Sequence, residues 1–550
     1  MSDIDLEESE DIDSYNEDET SEDRNNSFRI IRNVLVGKRI RNPFCGEIPS
    51  YKTLNHIGNY ILDMLKSAPT FVGQIDAKTG IRITFQEMRE KSVKCALWLR
   101  KQRVCHKSII TVCTKNQLDA YIPFLAGLYL GCKVNPLDEY FVRGNLDYFL
   151  QRVKPNVIFT SADIAMAVQF ACTKIRTNNN KSLAKIVVFD HSNAFESLHS
   201  ILTHFNEYAI DHFSCPKITM NETAMILFSS GTDDLPKAVD IPQTVFMAPD
   251  QAPLMCNNDI AIWFESFGFI TGMFLTIKAI VTCVTAIKVQ STFCANDACK
   301  LIEKYKITWM FLQTDVCAEL VKTVDLTKYD VSSLKKFVFG GSAVCHEIHA
   351  SLINLLPYAS VIQVYSLTET GVIAYQHQTG KIGSNGYVAR NIKLKITSVC
   401  PSPEDAPLGS NMQDGWRTDW FKTGDIGYYD EDGNVFVTER ANQVFKYKKK
   451  SISPMKIEAV LQTHPAVLDA VVVPVPYAFE NQFPKAFITK VAGKEVTEEE
   501  LKQLVIEKLN HDYELRAGVI FLSKMPRNSN GKIQRKVFHC WAQVDAWNET

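Results

Sequence analysis

The 550-residue sequence lacks any strong excess of charge of one sign. Lys and Arg total 60 and Asp and Glu total 62, which gives a formal net charge of −2. A near-neutral chain has no general electrostatic attraction to nucleic acid or to an anionic membrane surface. We therefore expect no nucleic-acid partner.

Paired cysteine motifs are also missing, although the chain contains 15 cysteines. None stands in a CxxC arrangement or at a regular spacing from histidine, so neither a disulfide framework nor a zinc site is expected. Cys294 and Cys299 form the closest pair and are a weak metal candidate. The N-terminus is acidic and has no basic and apolar signal-peptide pattern. Reduced thiols in an intracellular protein are the interpretation that these features favour.

A long charge-free hydrophobic run is absent as well. The most apolar stretch, residues 260–289, is interrupted by Glu265 and Lys278. A membrane-spanning helix needs about 18 or more apolar residues, so this stretch is expected to be a buried element and no transmembrane segment is predicted.

The composition along the chain predicts two folded units of unequal size. Residues 1–27 are mainly Asp, Glu, Ser and Asn and are expected to form a disordered acidic tail. Although the folded core is expected to start near Tyr51, the large unit is assigned to residues 28–438. A charged linker at 439–442 and a small unit at 443–545 follow.

Short β-branched runs alternate with helical patterns through the large unit. Thr84 and Glu87 have the spacing of a capping box at a helix N-terminus. Strands are expected at 108–113, 133–136, 157–160 and 186–189, and a helix at 119–130. This alternation predicts an α/β fold with parallel-rich sheets flanked by helices.

The small unit has a different pattern and is expected to be α+β. Ser453 and Pro454 form an N-cap and first-turn signal, and Thr497 with Glu500 forms a second capping box. A strand is expected at 468–475.

Four loops carry side chains that suit nucleotide chemistry. The first, residues 227–237 (LFSSGTDDLPK), follows an apolar strand and combines hydroxyls, a glycine and Lys237, which could cradle phosphates. The second, 365–370 (YSLTET), offers an aromatic ring, a hydroxyl and a carboxylate. Taken alone, the first is more often a plain turn, and Glu369 is more often a helix-capping residue.

The other two loops lie near and after the linker. In residues 422–433 (KTGDIGYYDEDG), Asp425 could accept both hydroxyls of a ribose, while the trailing acidic residues and glycine are typical of a hairpin turn. In residues 525–533 (MPRNSNGKI), Lys532 is interesting only if the small unit brings it against an acyl phosphate.

The order and spacing of these loops resemble the family of firefly luciferase, 4-coumarate–CoA ligases and acyl-CoA synthetases. The resemblance extends from about Tyr51 to Lys536 and is most specific at 423–428 and 530–532. It implies a large N-terminal adenylation domain and a small mobile C-terminal domain. It also implies activation of a carboxylic acid by ATP with Mg²⁺, followed by transfer of the acyl group to coenzyme A.

The resemblance also assigns roles to individual residues. The β- and γ-phosphates would be contacted by Ser229, Ser230, Gly231, Thr232 and Lys237. The adenine and ribose would be contacted by Gly341, Ser342, Tyr365, Asp425 and Arg440. Thr368 would contact the α-phosphate, Glu369 would hold Mg²⁺, Lys532 would drive adenylation, and Lys446 would serve the second half-reaction.

Several positions depart from the family pattern. Asp233 and Asp234 replace a hydroxyl and a glycine in the phosphate loop, Gln243 replaces a histidine, and residues 264–268 (FESFG) replace a histidine-containing substrate motif. Ser366 and Lys449 each replace a glycine, and the region 371–423 is shorter than in relatives. An active acyl-CoA synthetase is favoured, and a non-catalytic relative that keeps the fold and ligand binding is the alternative.

The sequence leaves alternatives open for the acyl substrate and for the cellular compartment. Phe264, Phe267, Phe269 and Met273 could line an apolar acyl pocket, although core packing explains each equally well. The chain ends in Thr550 and has no Ser-Lys-Leu tripeptide, which favours the cytosol, while the family resemblance keeps the peroxisome as an alternative. The oligomeric state is not predicted.

Overall fold

A computed structural model of the chain describes most of the molecule outside the acidic tail. The described residues are 28–31, 34–37, 56–115, 118–139, 145–179, 184–203, 205–229, 236–247, 255–390, 392–396, 407–412, 420–447, 450–477, 481–527 and 532–548. The tail predicted at 1–27 lies outside these ranges.

The strands are numbered in chain order. The first eleven are β1 (Phe28–Ile31), β2 (Val34–Gly37), β3 (Val72–Asp76), β4 (Arg82–Thr84), β5 (Ile109–Cys113), β6 (Lys133–Leu137), β7 (Val157–Thr160), β8 (Lys185–Val188), β9 (Glu196–Ser197), β10 (Thr223–Phe228) and β11 (Ala238–Pro242). The next eleven are β12 (Ile260–Trp263), β13 (Thr285–Lys288), β14 (Trp309–Gln313), β15 (Lys336–Gly340), β16 (Ser360–Leu367), β17 (Gly371–Tyr375), β18 (Tyr387–Val388), β19 (Ile392–Ile396), β20 (Pro407–Met412), β21 (Phe421–Tyr429) and β22 (Val435–Arg440). The last five are β23 (Phe445–Tyr447), β24 (Lys450–Ile452), β25 (Val467–Tyr477), β26 (Asn481–Lys490) and β27 (Val519–Leu522).

The helices are numbered in the same way. Those before β14 are α1 (Ile57–Ser67), α2 (Phe85–Lys101), α3 (Tyr121–Tyr129), α4 (Leu146–Val153), α5 (Ala162–Asn179), α6 (Leu198–Leu202), α7 (Glu207–Asp211), α8 (Gln243–Met247), α9 (Ile270–Val281) and α10 (Ala295–Tyr305). The later ones are α11 (Thr314–Thr323), α12 (His346–Leu355), α13 (Pro454–Thr463), α14 (Glu498–Lys508) and α15 (Arg535–Asn548), and two short 3₁₀ turns lie at Leu326–Lys328 and His511–Tyr513.

Two parallel-rich sheets form the large unit. Their strand orders are β11-β10-β6-β5-β7-β8-β9 and β18-β17-β16-β15-β14-β12-β13-β3-β4. Buried residues of α1, α2, α3 and α9 share one hydrophobic core with the first sheet, whereas α10, α11 and α12 cover one face of the second sheet. The predicted α/β class is therefore confirmed.

A third sheet, in the order β1-β2-β19-β20-β21-β22, packs on the other face of the nine-stranded sheet. Its first two strands form a hairpin in which Phe28 pairs with Gly37, and β2 pairs with β19. The folded part was expected to begin near Tyr51, so the prediction missed this hairpin. The reason is that two four-residue strands are too short to give a clear periodic pattern.

The small unit has an α+β architecture, as the sequence predicts. Strands β25, β26 and β27 form a sheet that α13 and α14 cover on one face and α15 covers on the other. Ser453 caps α13 through the amide of Lys456, and Thr497 and Glu500 form the capping box of α14.

Local predictions in the large unit agree with the structure to within about two residues at each boundary. The expected strands and the helix at 119–130 correspond to β5, β6, β7, β8 and α3. Thr84 and Glu87 make both capping-box hydrogen bonds at the start of α2. The apolar stretch at 260–289 folds as β12, α9 and β13. Within the described ranges, no helix is long and apolar enough to span a bilayer. The compartment stays a prediction.

Candidate nucleotide-binding site

The carboxyl ends of neighbouring parallel strands place the predicted adenine residues at one edge of the nine-stranded sheet. Gly340 at the end of β15 pairs with Val364 of β16, so Gly341 and Tyr365 follow at the same level. Gly341 has a φ of +100°, and a Cβ there would lie 2.0 Å from Oε1 of Gln313. A side chain at this position would therefore be strained and would collide with Gln313.

Tyr365, Asp425 and Arg440 form a compact hydrogen-bonded group. The Tyr365 hydroxyl donates to Oδ2 of Asp425 at 2.5 Å, and Nε of Arg440 lies 2.9 Å from Oδ1. Asp425 on β21 also pairs with Arg440 on β22 in the sheet register. The two oxygens expected to accept ribose hydroxyls thus already accept hydrogen bonds from the protein.

Burial dominates the electrostatics of this group. It raises the pKa of Asp425, while the positive charge of Arg440 acts in the opposite direction. The pKa of Tyr365 is raised well above its ordinary value, first by burial and then by the neighbouring Asp425. Tyr365 therefore remains a neutral hydrogen-bond donor at physiological pH.

Lys532 of the small unit lies close to the same group. Burial lowers the pKa of Lys532, and the nearby carboxylates of Asp315 and Asp425 act against that shift. The positive charge of Arg440 lowers the pKa of Lys532 further. The structure therefore places the late lysine where charges of the large unit act on it.

Asp315 connects the lysine loop to the predicted adenine loop. One carboxylate oxygen accepts a hydrogen bond from the Ser342 hydroxyl, and the other accepts one from the amide of Ile533 at 2.9 Å. Thr314 adds a hydrogen bond to the carbonyl of Ser342 at 3.0 Å. Sequence analysis missed Asp315, although it follows an apolar strand in the polar run Gln313-Thr314-Asp315, which resembles the other loops in this respect.

Thr368 and Glu369 lie on the turn between β16 and β17, both half-buried. The amide of Thr370 donates to the carbonyl of Leu367 at 3.3 Å, which closes the turn. Glu369 therefore does not cap a helix, because a strand follows the turn. Its half-buried carboxylate, on the loop that extends from Tyr365, suits a hard cation that keeps other ligands from water or phosphate.

The predicted phosphate loop lies in the chain between β10 and β11, which pair antiparallel in the seven-stranded sheet. The amide of Ser229 donates to the carbonyl of Lys237 at 3.0 Å, just beyond the pairing of β10 with β11. Ser229 is buried and Lys237 is exposed. The predicted Ser230, Gly231 and Thr232, together with Asp233 and Asp234, lie outside the described residues.

Lys446 is placed differently from Lys532. It lies on β23, a strand of the small unit, and its side chain is exposed to solvent. Lys449, which replaces a family glycine, lies outside the described residues.

Three of the candidate acyl-pocket residues pack against core side chains. Phe267 contacts Phe124 edge to face with ring centroids 4.8 Å apart, and Met273 is completely buried in the same cluster. Phe264 packs against Phe293 at 5.1 Å. Core packing therefore accounts for these three side chains.

Glu265 is a second residue that sequence analysis did not propose for the site. It lies just beyond β12, whose Trp263 pairs with Phe311 of β14, so it is level with Gln313 across the sheet. Its side chain is buried, and its Oε2 has no hydrogen-bond partner among the described residues. Burial raises the pKa of Glu265 to about 8.

Two family sequence profiles match the chain. The profile described as AMP-binding enzyme matches residues 65–407, and the profile described as AMP-binding enzyme C-terminal domain matches residues 456–532. Together these matches span both folded units.

Curated relatives cover most of the chain at low identity. A luciferin 4-monooxygenase of Nipponoluciola cruciata is 27% identical over 496 residues, which are 83% of this chain and 89% of the relative. The 4-coumarate–CoA ligase CCL1 of Humulus lupulus is 25% identical over 532 residues, which are 90% and 95% of the two chains.

Solved structures that superpose on this chain also cover most of it at low sequence identity. The luciferase-like enzyme of the nonluminescent Zophobas morio mealworm superposes with a TM-score of 0.64 at 26% identity, covering 75% of this chain and all of that one. The anthranilate CoA ligase AuaEII bound to anthranoyl-AMP superposes with a TM-score of 0.78 at 17% identity, covering 89% and 98%. ATP-bound MatB from Rhodopseudomonas palustris has a TM-score of 0.76 at 18% identity, covering 88% and 99%. The last two likenesses concern the fold.

Proposed function

Because the chain belongs to the AMP-binding enzyme family, we propose that it joins a carboxylic acid to the AMP part of ATP and then transfers the acyl group to coenzyme A. The observation that carries this proposal is the convergence of Tyr365, Asp425 and Lys532, which come from three distant parts of the sequence and two folded units. Four separate loops of the sequence point to the same chemistry.

In the first step, a carboxylate oxygen of the substrate attacks the α-phosphorus of ATP. The bond between the α-phosphorus and the bridging oxygen breaks, and pyrophosphate leaves. Negative charge accumulates on the α-phosphate oxygens, and the ammonium of Lys532 stabilises that charge. We assign Thr368 to the α-phosphate, and Ser229, Ser230, Gly231, Thr232 and Lys237 to the phosphates that leave.

The nucleoside is assigned to the group around Asp425. Gly341, Ser342 and Tyr365 would bound the adenine, since Gly341 and Ser342 follow β15 and Tyr365 lies at the same level of the neighbouring strand β16. Asp425 and Arg440 would hold the ribose. For this, ribose hydroxyls must replace or share the present hydrogen bonds of the Asp425 carboxylate, which can accept several at once.

Glu369 is assigned to Mg²⁺. Among the described residues there is no cluster of three or more His, Cys, Asp or Glu that could hold a metal ion. A single carboxylate such as that of Glu369 nevertheless suits Mg²⁺, because proteins often bind this ion through one or two carboxylates together with substrate phosphates. The ion would offset the phosphate charge, and Glu369 would orient it.

In the second step, the sulfur of coenzyme A attacks the acyl carbon, the bond from that carbon to the phosphate oxygen breaks, and AMP leaves. We propose that the small unit turns about the linker at 439–442 and that Lys446 then takes part. Its exposed position on β23 is consistent with a residue that is used only after such a turn.

The proposal is tested by measuring acid-dependent release of AMP and pyrophosphate with MgATP and coenzyme A. The panel contains straight-chain fatty acids together with 4-coumarate and anthranilate, acids named for relatives of the chain. We expect release with at least one acid and none without acid. Tight MgATP binding without acid-dependent release across the panel would contradict the proposal.

The alternative is a relative that binds ligands without catalysis, and Asp233 and Asp234 favour it. A negative charge about 5 Å from a phosphate oxygen costs roughly 3 kcal/mol at an effective dielectric near 20, which is about a hundredfold in affinity. Replacing the pair by Thr and Gly (Asp233→Thr with Asp234→Gly) should lower the KM for ATP and raise turnover.

A second variant separates charge from backbone freedom. Asp233→Asn with Asp234→Asn removes both charges but restores no glycine. If charge is the obstacle, this variant should recover most of the gain, measured as kcat/KM for ATP. If neither double variant improves on the wild-type chain, the two carboxylates do not limit the reaction.

A further inference from the structure

One face of α11 in the large unit carries three charged residues that meet the small unit. Asp315, Glu319 and Lys322 are spaced by four and three residues, so they lie along one side of the helix. All three are half-buried. We call this set the α11 docking face.

Lys322 makes the most extensive contact. Its ammonium donates to the carbonyls of Gln462 and Val467 at 2.6 Å each and reaches the carbonyl of His464 at 3.4 Å. Gln462 belongs to the last turn of α13, where carbonyls have no partner within the helix. A cation is favourable at this end of a helix because the helix dipole is negative there.

Asp315 lies two turns away at the opposite end of the same face. It accepts from Ser342 of the large unit and from the Ile533 amide of the small unit, next to Lys532. Its carboxylate is also the strongest of the charges acting on the pKa of Lys532. Asp315 therefore ties the lysine loop to the predicted adenine loop.

Glu319 lies between these two contacts. It accepts the amide of Ala295 at 2.9 Å, and its pKa, which burial raises, responds to Arg527 and Asp469 of the small unit. Arg527 and Asp469 form an ion pair at 2.5 Å, so Glu319 faces a pair that is already neutralised. The main attachment points are thus Asp315 and Lys322.

The bonds made by Lys322 and the Asp315–Ile533 bond all cross between the two units. The three carbonyls that Lys322 caps lie between the last turn of α13 and the start of β25, in the small unit. We infer that Asp315 and Lys322 are positioning residues that hold the small unit in the one orientation that presents Lys532 to the nucleotide. This inference rests on the proposed function, because that function requires the small unit to leave this orientation for the thioester step.

The two half-reactions provide the test. In Lys322→Met, pyrophosphate release with MgATP and the best acid of the panel should fall about tenfold or more, since one charge-assisted contact set is lost. Formation of the thioester from coenzyme A and the chemically synthesised adenylate of the same acid should change by less than about twofold, because that step does not use this orientation. Lys322→Arg should recover much of the loss. The matched control is Lys328→Met, at an exposed lysine that pairs with Asp325 three residues before it.

Hydrogen–deuterium exchange gives a readout that does not depend on activity. In Lys322→Met, exchange should rise at residues 462–467 and at Ile533, while β14 at 309–313 stays protected. Unchanged exchange at Ile533, or equal loss of both half-reactions, would overturn the inference. If the wild-type chain activates no acid, the proposed function fails, and the exchange data alone then decide whether Lys322 holds the small unit.

Discussion

Glu265 differs from the carboxylates around the candidate nucleotide site in how its charge is accommodated. Asp425 has Arg440 and Tyr365 as partners, whereas Oε2 of Glu265 has none among the described residues. An unpaired buried carboxylate costs several kcal/mol, so the group stays protonated instead. Burial accordingly raises the pKa of Glu265 to about 8.

We therefore expect Glu265→Gln to change the pH dependence of stability. The unfolded chain releases the proton near its ordinary pKa of 4.5 and the folded chain only near 8, so wild-type stability falls as pH rises between these values. Glutamine does not titrate. The variant should gain, relative to wild type, on the order of 2–4 kcal/mol between pH 5 and pH 8.

Denaturant unfolding at pH 5 and pH 8 measures this difference. Glu431→Gln is a suitable control, because Glu431 is exposed on the turn after β21. A constant difference between Glu265→Gln and wild type at the two pH values would show that Glu265 is ionised in the folded protein.

At the scale of elements, the linker is fastened more firmly than its sequence suggests. Glu439, in the predicted hinge at 439–442, is the second-to-last residue of β22 and is buried. Its carboxylate accepts hydrogen bonds from the hydroxyl of Ser453 and from the amide of Met455, which lies at 3.1 Å. The end of β22 is thereby joined to the start of α13.

Glu439→Ala should loosen this junction. Hydrogen bonds to a charged group contribute about 1.5–3 kcal/mol each. We therefore expect the free energy that keeps the junction between β22 and α13 closed to fall by about 2 kcal/mol, which makes the population with an open junction roughly 30-fold larger. Trypsin cleavage after Arg440 should accelerate by about that factor when cleavage samples the open population. Thr84→Ala, which removes the cap of α2 and costs about 1 kcal/mol, should leave cleavage at Arg440 unchanged. An unchanged rate in Glu439→Ala would show that its carboxylate does not hold the junction.

The sequence predicted helices best where a capping motif stands at the start of a helical pattern of apolar residues. The capping boxes at Thr84 and Thr497 were predictable because the motif specifies its own hydrogen bonds. The hairpin of β1 and β2 was not, since its stability comes from pairing with β19, more than 350 residues away. Tertiary pairing of this kind leaves no local signal in the sequence.

At the scale of the whole molecule, the sequence predicted a set of loops for the candidate site but not the contacts between them. The sequence identified Tyr365, Asp425 and Lys532 through motif order, and their proximity follows from the fold. Asp315 escaped prediction because its importance depends on where the small unit lies. A contact between two units cannot be predicted from the sequence pattern of either unit alone.

The placement of the two lysines leads to a final prediction about the molecule as a whole. Lys532 precedes Ile533, whose amide donates to Asp315 of the large unit, while Lys446 is exposed on β23. We infer that this arrangement presents Lys532 and not Lys446 to the candidate site. Lys532→Ala should therefore reduce adenylate formation about 100- to 1000-fold, the usual effect of removing one group that stabilises developing charge. Lys446→Ala should leave adenylate formation nearly intact and slow thioester formation instead. Pyrophosphate release measures the first step, and consumption of synthetic acyl-adenylate with coenzyme A measures the second.

If both variants impair the same step to the same extent, a rotating small unit that uses one lysine at a time is the wrong description. A fixed arrangement would then have to expose both lysines to the same intermediate.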